Sequence, residues 1–326
     1  MSVVTEQDHS ARQPAQVMGD GPAGADRRSV DPAGNLRRTP GPFIRTARPR
    51  QWVKNLLVLA APAAAGVLFR PRTALEALLA IMSFTLAAVA TYFLNDALDA
   101  PADRQHPIKS QRPVAAGLIT VRTAMVVGAA CAVASLTLAA SLNWTFTAVV
   151  TGYLALTALY SLRIKHIPVL DILTVAAGFL LRAAAGGAAT GVGLSDWFLL
   201  VALFGSLFLV TAKRAAEQAR NQTGTPHTRT TLDAYPATWL TQVMTLTLTG
   251  TVLSYALWAF QYAGTDTTQP LITLSLVPFL ALLLRYSLLV AQGHGEEPER
   301  LLTTDHFLII TAAAWALLVG VGIYLG

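Results

Sequence analysis

Asp96, Asp99 and Asp103 stand three and seven residues apart in the stretch NDALDAPADRQHPIKSQRPVAAG, residues 95–117. On a helix those steps turn about 300° and about 700°, so the three carboxylates share about 60° of one face. Like charges at that spacing repel unless a cation stands among them. Carboxylate oxygens suit Mg2+, which typically takes one or two carboxylates plus water and substrate phosphates. Lys109 and Arg112 follow in the same stretch. Arg suits bidentate contact with phosphate, and Lys supplies a mobile point charge. Carboxylates, Mg2+ and these cations together make a clamp for a diphosphate leaving group. Pro101 falls inside the acidic run. The helix is therefore expected to end or kink near Ala100, with Asp103 reaching the site from a loop. His106 reads as a loop hydrogen-bonding residue rather than a catalyst.

Three further groups carry charge next to apolar runs. Asp171 and Arg182 lie in YSLRIKHIPVLDILTVAAGFLLRAAAGG. Eleven helical steps come within about 20° of three full turns, so both side chains occupy one stripe, roughly 16 Å apart along the axis. That separation excludes a direct pair. A charge inside an apolar span is costly, and is usually functional or paired. For Arg182, ligand contact in a cavity and pairing with another span both fit. The small run AAAGG permits close helix packing. In LVTAKRAAEQAR, Lys213 and Glu217 are four apart and face each other on a helix, with Arg214 beside them. In RPRQWVKN, Trp52 marks a membrane interface, and Lys54 and Asn55 stand where the chain enters the apolar phase.

The elements that must position these groups are membrane helices. Charged residues make up 13% of the chain, against about a quarter in soluble domains. Apolar runs of about 18 residues or more recur, each long enough to cross a bilayer. Backbone groups in lipid must bond internally, so helices are expected; the period-2 alternation of a membrane barrel is absent. The reading is an all-α polytopic membrane protein with nine spans, near 53–69, 74–95, 118–140, 144–162, 169–190, 196–213, 237–260, 270–291 and 304–325. Residues 1–42 read as a disordered cytoplasmic tail without a signal-peptide core, and 43–326 as the catalytic domain. If the segment before the first span is cytoplasmic, the outer side holds only Arg70 and Arg72, and the other cations near span ends fall inside. The positive-inside rule then puts the N-terminus and active face in the cytoplasm and the C-terminus outside. The same rule accounts for the net charge of +6 without nucleic-acid binding. A single Cys, Cys131, excludes an intrachain disulfide and reads as a small core residue.

Asn95, Asp96, Asp99 and Asp103, set as NDxxDxxxD among these spans, resemble the UbiA superfamily of intramembrane prenyltransferases. The resemblance covers about residues 43–326. It implies a nine-helix bundle around a cavity whose polar cap faces the cytoplasm. Many members hold a prenyl diphosphate with a second acidic pair four residues apart; here Tyr160, Lys165 and a lone Asp171 stand at that place. WVKN at 52–55, HPxKxxRPxAAG after the acidic run, YSxxxKHxxVxD from Tyr160, LxRAxAGGxAT around Arg182 and KRxAE from Lys213 are similar to another branch, the decaprenyl-phosphate phosphoribosyltransferases. That resemblance implies 5-phosphoribosyl 1-diphosphate as donor, decaprenyl phosphate as acceptor, Mg2+ as cofactor and the plasma membrane as location. It implies Asn95, Asp96, Asp99 and Asp103 as metal ligands. Lys109 and Arg112 are expected on the leaving diphosphate, and Asp171 and Glu217 on ribose or the metal shell. Lys54, Lys165, Arg182, Lys213 and Arg214 are expected on the 5-phosphate and the lipid phosphate, and Asn55 and Tyr160 are expected among the substrate-binding residues. A homo-oligomer is left open. The alternatives are prenyl transfer to an aromatic acceptor, which needs the second acidic cluster, and transport, which usually leaves internal repeats of broken helices.

Overall fold

A computed structural model describes residues 41–221, 230–263, 269–294, 301 and 304–325. The expected tail lies outside the described residues except for its last two, and so do Arg229 and Arg300, two of the cations expected on the inner side. Helix α1 is Pro42–Ala47, α2 is Ala60–Ala64, α3 is Pro71–Asp103, α4 is Val121–Ala140 and α5 is Trp144–Leu162. Helix α6 is Leu170–Thr190, α7 is Asp196–Asn221, α8 is Ala237–Ala263, α9 is Gln269–Leu274, α10 is Leu276–Ala291 and α11 is His306–Tyr324. No strand occurs among the described residues. Among the described residues, eight helical segments are long and apolar enough to cross a membrane, with α9 and α10 counted together. The chain is a multi-pass membrane protein.

The expected first span is different in kind. Residues Pro49–Leu59 form a 3-10 helix that runs directly into α2, not one apolar α-helix over 53–69. At about 2.0 Å per 3-10 residue and 1.5 Å per α residue, the two pieces together reach about 30 Å. Arg48, just before this segment, touches Asp96 near one end of α3, while Arg70, just after it, caps the other end. The chain from Arg48 to Arg70 therefore runs alongside α3 from Asp96 back to its first turn. It seats on α6 backbone to backbone. A methyl group at Gly186 would fall 1.9 Å from the Val58 carbonyl oxygen, so only glycine fits there.

Helix α3 also departs from expectation. It continues through Pro101 and carries Asp103 as its last residue, so Asp103 is helical and not in a loop. Pro101 has no N–H to donate to the Ala97 carbonyl, so the helix continues through it one hydrogen bond short. The helix has 33 residues and is about 50 Å long, well over the roughly 30 Å hydrocarbon layer. Helix α7, with 26 residues, likewise runs past the expected end at 213. The surplus turns of both helices carry the acidic and basic residues.

Polar side chains pin the remaining contacts. Ser83 Oγ donates to the Ser135 carbonyl at 2.9 Å and Ser135 Oγ donates to the Ser83 carbonyl at 2.8 Å, clasping α3 to α4. Asn143 caps α5 by accepting from the Phe146 N–H at 2.8 Å, and its amide donates to the Ala188 carbonyl at the far end of α6. Asp305 caps α11 and binds Arg285 of α10 at 2.8 Å.

Candidate active site

The α3 surplus presents its acidic residues as the 3.6-residue repeat requires, but each carboxylate meets its own cation. Asp96 is 2% exposed and receives the guanidinium of Arg48, which also lies over the Tyr92 ring, 5.1 Å from its centroid. Asp103 is buried and receives Arg112 at 2.7 Å. The same Arg112 nitrogen lies 3.6 Å from Asp96, so one positive group bridges two carboxylates. Asp99 pairs with Lys165, from the short 3-10 turn Ile164–His166 before α6. Asn95 is half-buried on the same helix. Three elements far apart in sequence thus each supply a cation to one helix face.

Among the described residues no three Asp, Glu, His or Cys side chains converge as a metal site. The donor set nonetheless fits a divalent ion. Asp96 and Asp103 already hold a cation between them, the Arg112 nitrogen, and carboxylate oxygens are the ligands Mg2+ prefers. Asp99 faces Lys165 instead and would have to turn from it to join them.

A second network stands at the start of α6. Asp171 is fully buried; it accepts from Arg214 Nε of α7 at 3.2 Å and from the Tyr235 hydroxyl. Arg214 also reaches Glu217 at 3.0 Å. The Val169 N–H donates to the Tyr235 hydroxyl at 2.6 Å, and the Gln218 amide donates to the Tyr235 carbonyl. Burial, with the Asp171 hydrogen bond, pushes the Tyr235 phenol up to about 12. Asp171, Arg214 and Glu217 thus close on one another, tying α6, α7 and the segment before α8 into one block.

Among the described residues, two that are not glycine have positive φ: Arg48 at 51° and Val169 at 68°. Such a backbone costs roughly 1–3 kcal/mol and gathers at functional sites. Arg48 contacts Asp96 directly and Val169 lies two residues before Asp171.

Arg182 faces the bundle interior at 7% exposure. Its Nε donates to Asn55 Oδ1 at 3.0 Å, Nη1 to the Gly178 carbonyl at 2.8 Å and Nη2 to the Tyr153 hydroxyl at 2.7 Å. Asn55 in turn donates to Thr85 at 3.1 Å. Lys54 lies near the Phe179 ring, 6.0 Å from its centroid, and Arg182 approaches the same ring at 5.7 Å. Lys109 is half-buried on the turn Lys109–Gln111, Tyr160 is half-buried near the end of α5, and Lys213 precedes Arg214 on α7.

Arg48, Tyr235 and Tyr153 were not legible as site residues. Arg48 looks like any membrane-flanking cation, Tyr153 lies in an ordinary apolar run, and Tyr235 lies in the connecting stretch TTLDAYPATW with no motif around it. His106 organises its loop as expected. Its Nδ1 accepts from the N–H groups of Ile108 and Lys109, at 3.2 and 3.3 Å. The proton must then sit on Nε2, which is buried and has no partner among the described residues.

Residues 56–311 match the UbiA prenyltransferase family. The chain is 39% identical, over 98% of its length, to a protein of Corynebacterium glutamicum named decaprenyl-phosphate phosphoribosyltransferase, and covers 91% of it. A protein of the same name from Mycobacterium tuberculosis is 41% identical over 87% of the chain and is 94% covered. Among solved structures, a UbiA homolog from Archaeoglobus fulgidus bound to DMAPP and Mg2+ shares the fold. Its TM-score is 0.65 at 22% identity, covering 87% of this chain and 99% of that one.

Proposed function

The chain belongs to the UbiA prenyltransferase family, and from that premise we propose that it moves the 5-phosphoribosyl group of 5-phosphoribosyl 1-diphosphate to decaprenyl phosphate. The products are decaprenylphosphoryl-5-phosphoribose and diphosphate, the former a precursor for cell-wall arabinan. One observation carries this choice within the family. The carboxylate that could begin a second metal cluster, Asp171, is buried in a pair with Arg214, so one acidic face remains, on α3. A single acidic face with surrounding cations suits a donor that brings its own diphosphate and a second phosphate.

Asp96, Asp103 and, after release from Lys165, Asp99 would hold Mg2+ with Asn95. When bound, the ion draws charge from the departing diphosphate. Arg48, Arg112 and Lys165, relieved of their carboxylates, turn to phosphate oxygens, with Lys109 beside them. The C1–oxygen bond to diphosphate breaks, and diphosphate leaves with the electron pair. A C1–oxygen bond to the lipid phosphate forms. The attacking phosphate is ionised near neutral pH, so no strong general base is needed. The Asp171–Arg214–Glu217 block fixes α6 and α7 around the ribose.

Support for orientation comes from the cations gathered at the Asp96 end, against Arg70 and Arg72 at the other. The active face is cytoplasmic in the plasma membrane, and the described residues form one catalytic domain. In the deciding experiment, purified protein receives labelled donor, decaprenyl phosphate and Mg2+. Label is expected in the organic phase, and is expected to vanish with EDTA or Asp96→Asn while the variant stays folded. No label, with prenylation of an aromatic acid from a prenyl diphosphate, would establish the alternative chemistry.

A further inference from the structure

We propose that Arg182, with Lys54 and Tyr153, forms the subsite for the acceptor's phosphate, beneath the donor cap. This rests on the reaction just proposed and says which phosphate these cations take. The first ground is charge. At the cap every carboxylate has a cation, and buried Arg214 has two carboxylates, Asp171 and Glu217. Arg182 is nine-tenths buried, yet no carboxylate among the described residues lies within ion-pair distance; its partners are an amide, a backbone carbonyl and a phenol. A cation held in an apolar interior by neutral groups alone is costly, and an arriving anion removes that cost.

The second ground is donor surplus. Arg182 uses three of its five N–H groups, and the Tyr153 hydroxyl, which accepts from Arg182, finds no acceptor for its own proton among the described residues. Lys54 brings another ammonium to the shared Phe179 ring. The third ground is depth. The Gly178 bond sets the Arg182 guanidinium about 10 Å along α6 from Asp171, further into the apolar layer. The water-soluble donor reaches the cap from outside the membrane. The acceptor comes from the lipid side, so its oxygen meets C1 from beneath.

A structural pin does not account for the charge. Gly186 already fixes the 3-10 helix on α6, and a neutral side chain could bond Asn55 and Tyr153. The subsite therefore takes a lipid phosphate monoester.

The test uses full-length protein in detergent. Thermal unfolding is followed with farnesyl phosphate, farnesol or inorganic phosphate, and KM is measured for each substrate. Farnesyl phosphate is expected to raise the midpoint of the wild type, and farnesol is not. Arg182→Gln should abolish that rise and increase KM for the lipid phosphate by roughly 10- to 100-fold, with KM for the donor unchanged. Arg182→Lys should recover part of both. A full rise in Arg182→Gln, or a joint increase in both KM values, would reduce Arg182 to a helix pin. An equal rise with inorganic phosphate would make this a free-phosphate site and overturn the lipid assignment. If Arg182→Gln does not fold, Lys54→Gln carries the test: selective loss of lipid-phosphate affinity supports the subsite, and unchanged affinity overturns it. A wild type that shows the farnesyl phosphate shift but makes no product from the ribosyl donor would refute the proposed reaction and leave the subsite standing.

Discussion

At the scale of the residue, the site is a set of charges that already have partners. Tyr235 shows what one such partner does. Its hydroxyl donates to Asp171 and accepts from the Val169 N–H. Tyr235→Phe leaves the fully buried Asp171 carboxylate short of one partner and should cost about 1–3 kcal/mol in unfolding free energy. The phenol is pushed up to about 12 from an ordinary 10. Its contribution is thus complete below about pH 10 and declines only as pH rises through about 12. The gap between wild type and Tyr235→Phe should stay flat between about pH 6 and 9 in denaturant titrations. A gap that narrows within that range would mean the phenol ionises there. Arg48 offers a second check. Arg48→Gly relieves the positive φ but removes the guanidinium from buried Asp96. If the contact governs the site, turnover should fall at least about tenfold even where stability is kept. Wild-type turnover in that variant would assign Arg48 to the turn alone.

At the scale of the element, the decisive feature is the 3-10 helix Pro49–Leu59. Its 3-10 run of 11 residues is long, since such runs seldom exceed three or four. Asn55, bonded to both Thr85 and Arg182, and Gly186 against Val58 hold it. Gly186→Ala cannot be absorbed by a side-chain shift, because the obstructing atom is a backbone oxygen. It should destabilise the fold by several kcal/mol, as overpacking and backbone displacement do. The measurement is the thermal midpoint, with Gly152→Ala, which meets nothing within 4 Å, as the comparison. Equal midpoints would show that the 3-10 helix does not bear on α6.

At the scale of the whole molecule, the two ends of the bundle differ. Arg48, Arg112 and Lys165 gather at the Asp96 end. The Tyr324 hydroxyl donates to the Ala63 carbonyl, and its ring lies against Phe69, which puts the C-terminus at the opposite end with Arg70. With the Asp96 end cytoplasmic, a reporter enzyme active only outside the membrane should work when fused to the C-terminus. It should fail when fused at the N-terminus. The reverse pattern would invert the orientation and put the proposed site out of reach of a cytoplasmic donor.

The sequence alone determined what is local. Apolar run lengths gave nine spans, and eight of them are long apolar helices among the described residues, because span length follows from the thickness of the apolar layer. The spacing of Asp96, Asp99 and Asp103 gave a shared acidic face, because helical rotation depends only on residue number. Only the tertiary structure decided which charges meet. Lys165 reaches Asp99 across 66 residues, Arg214 reaches Asp171 across 43, and Arg182 reaches Asn55 across 127. No local period encodes those separations. The 3-10 helix was likewise hidden, since the run from Val53 onward reads as one apolar span and nothing in it marks a 3-10 geometry. Its geometry is set by the close backbone seat at Gly186 and the buried amide of Asn55.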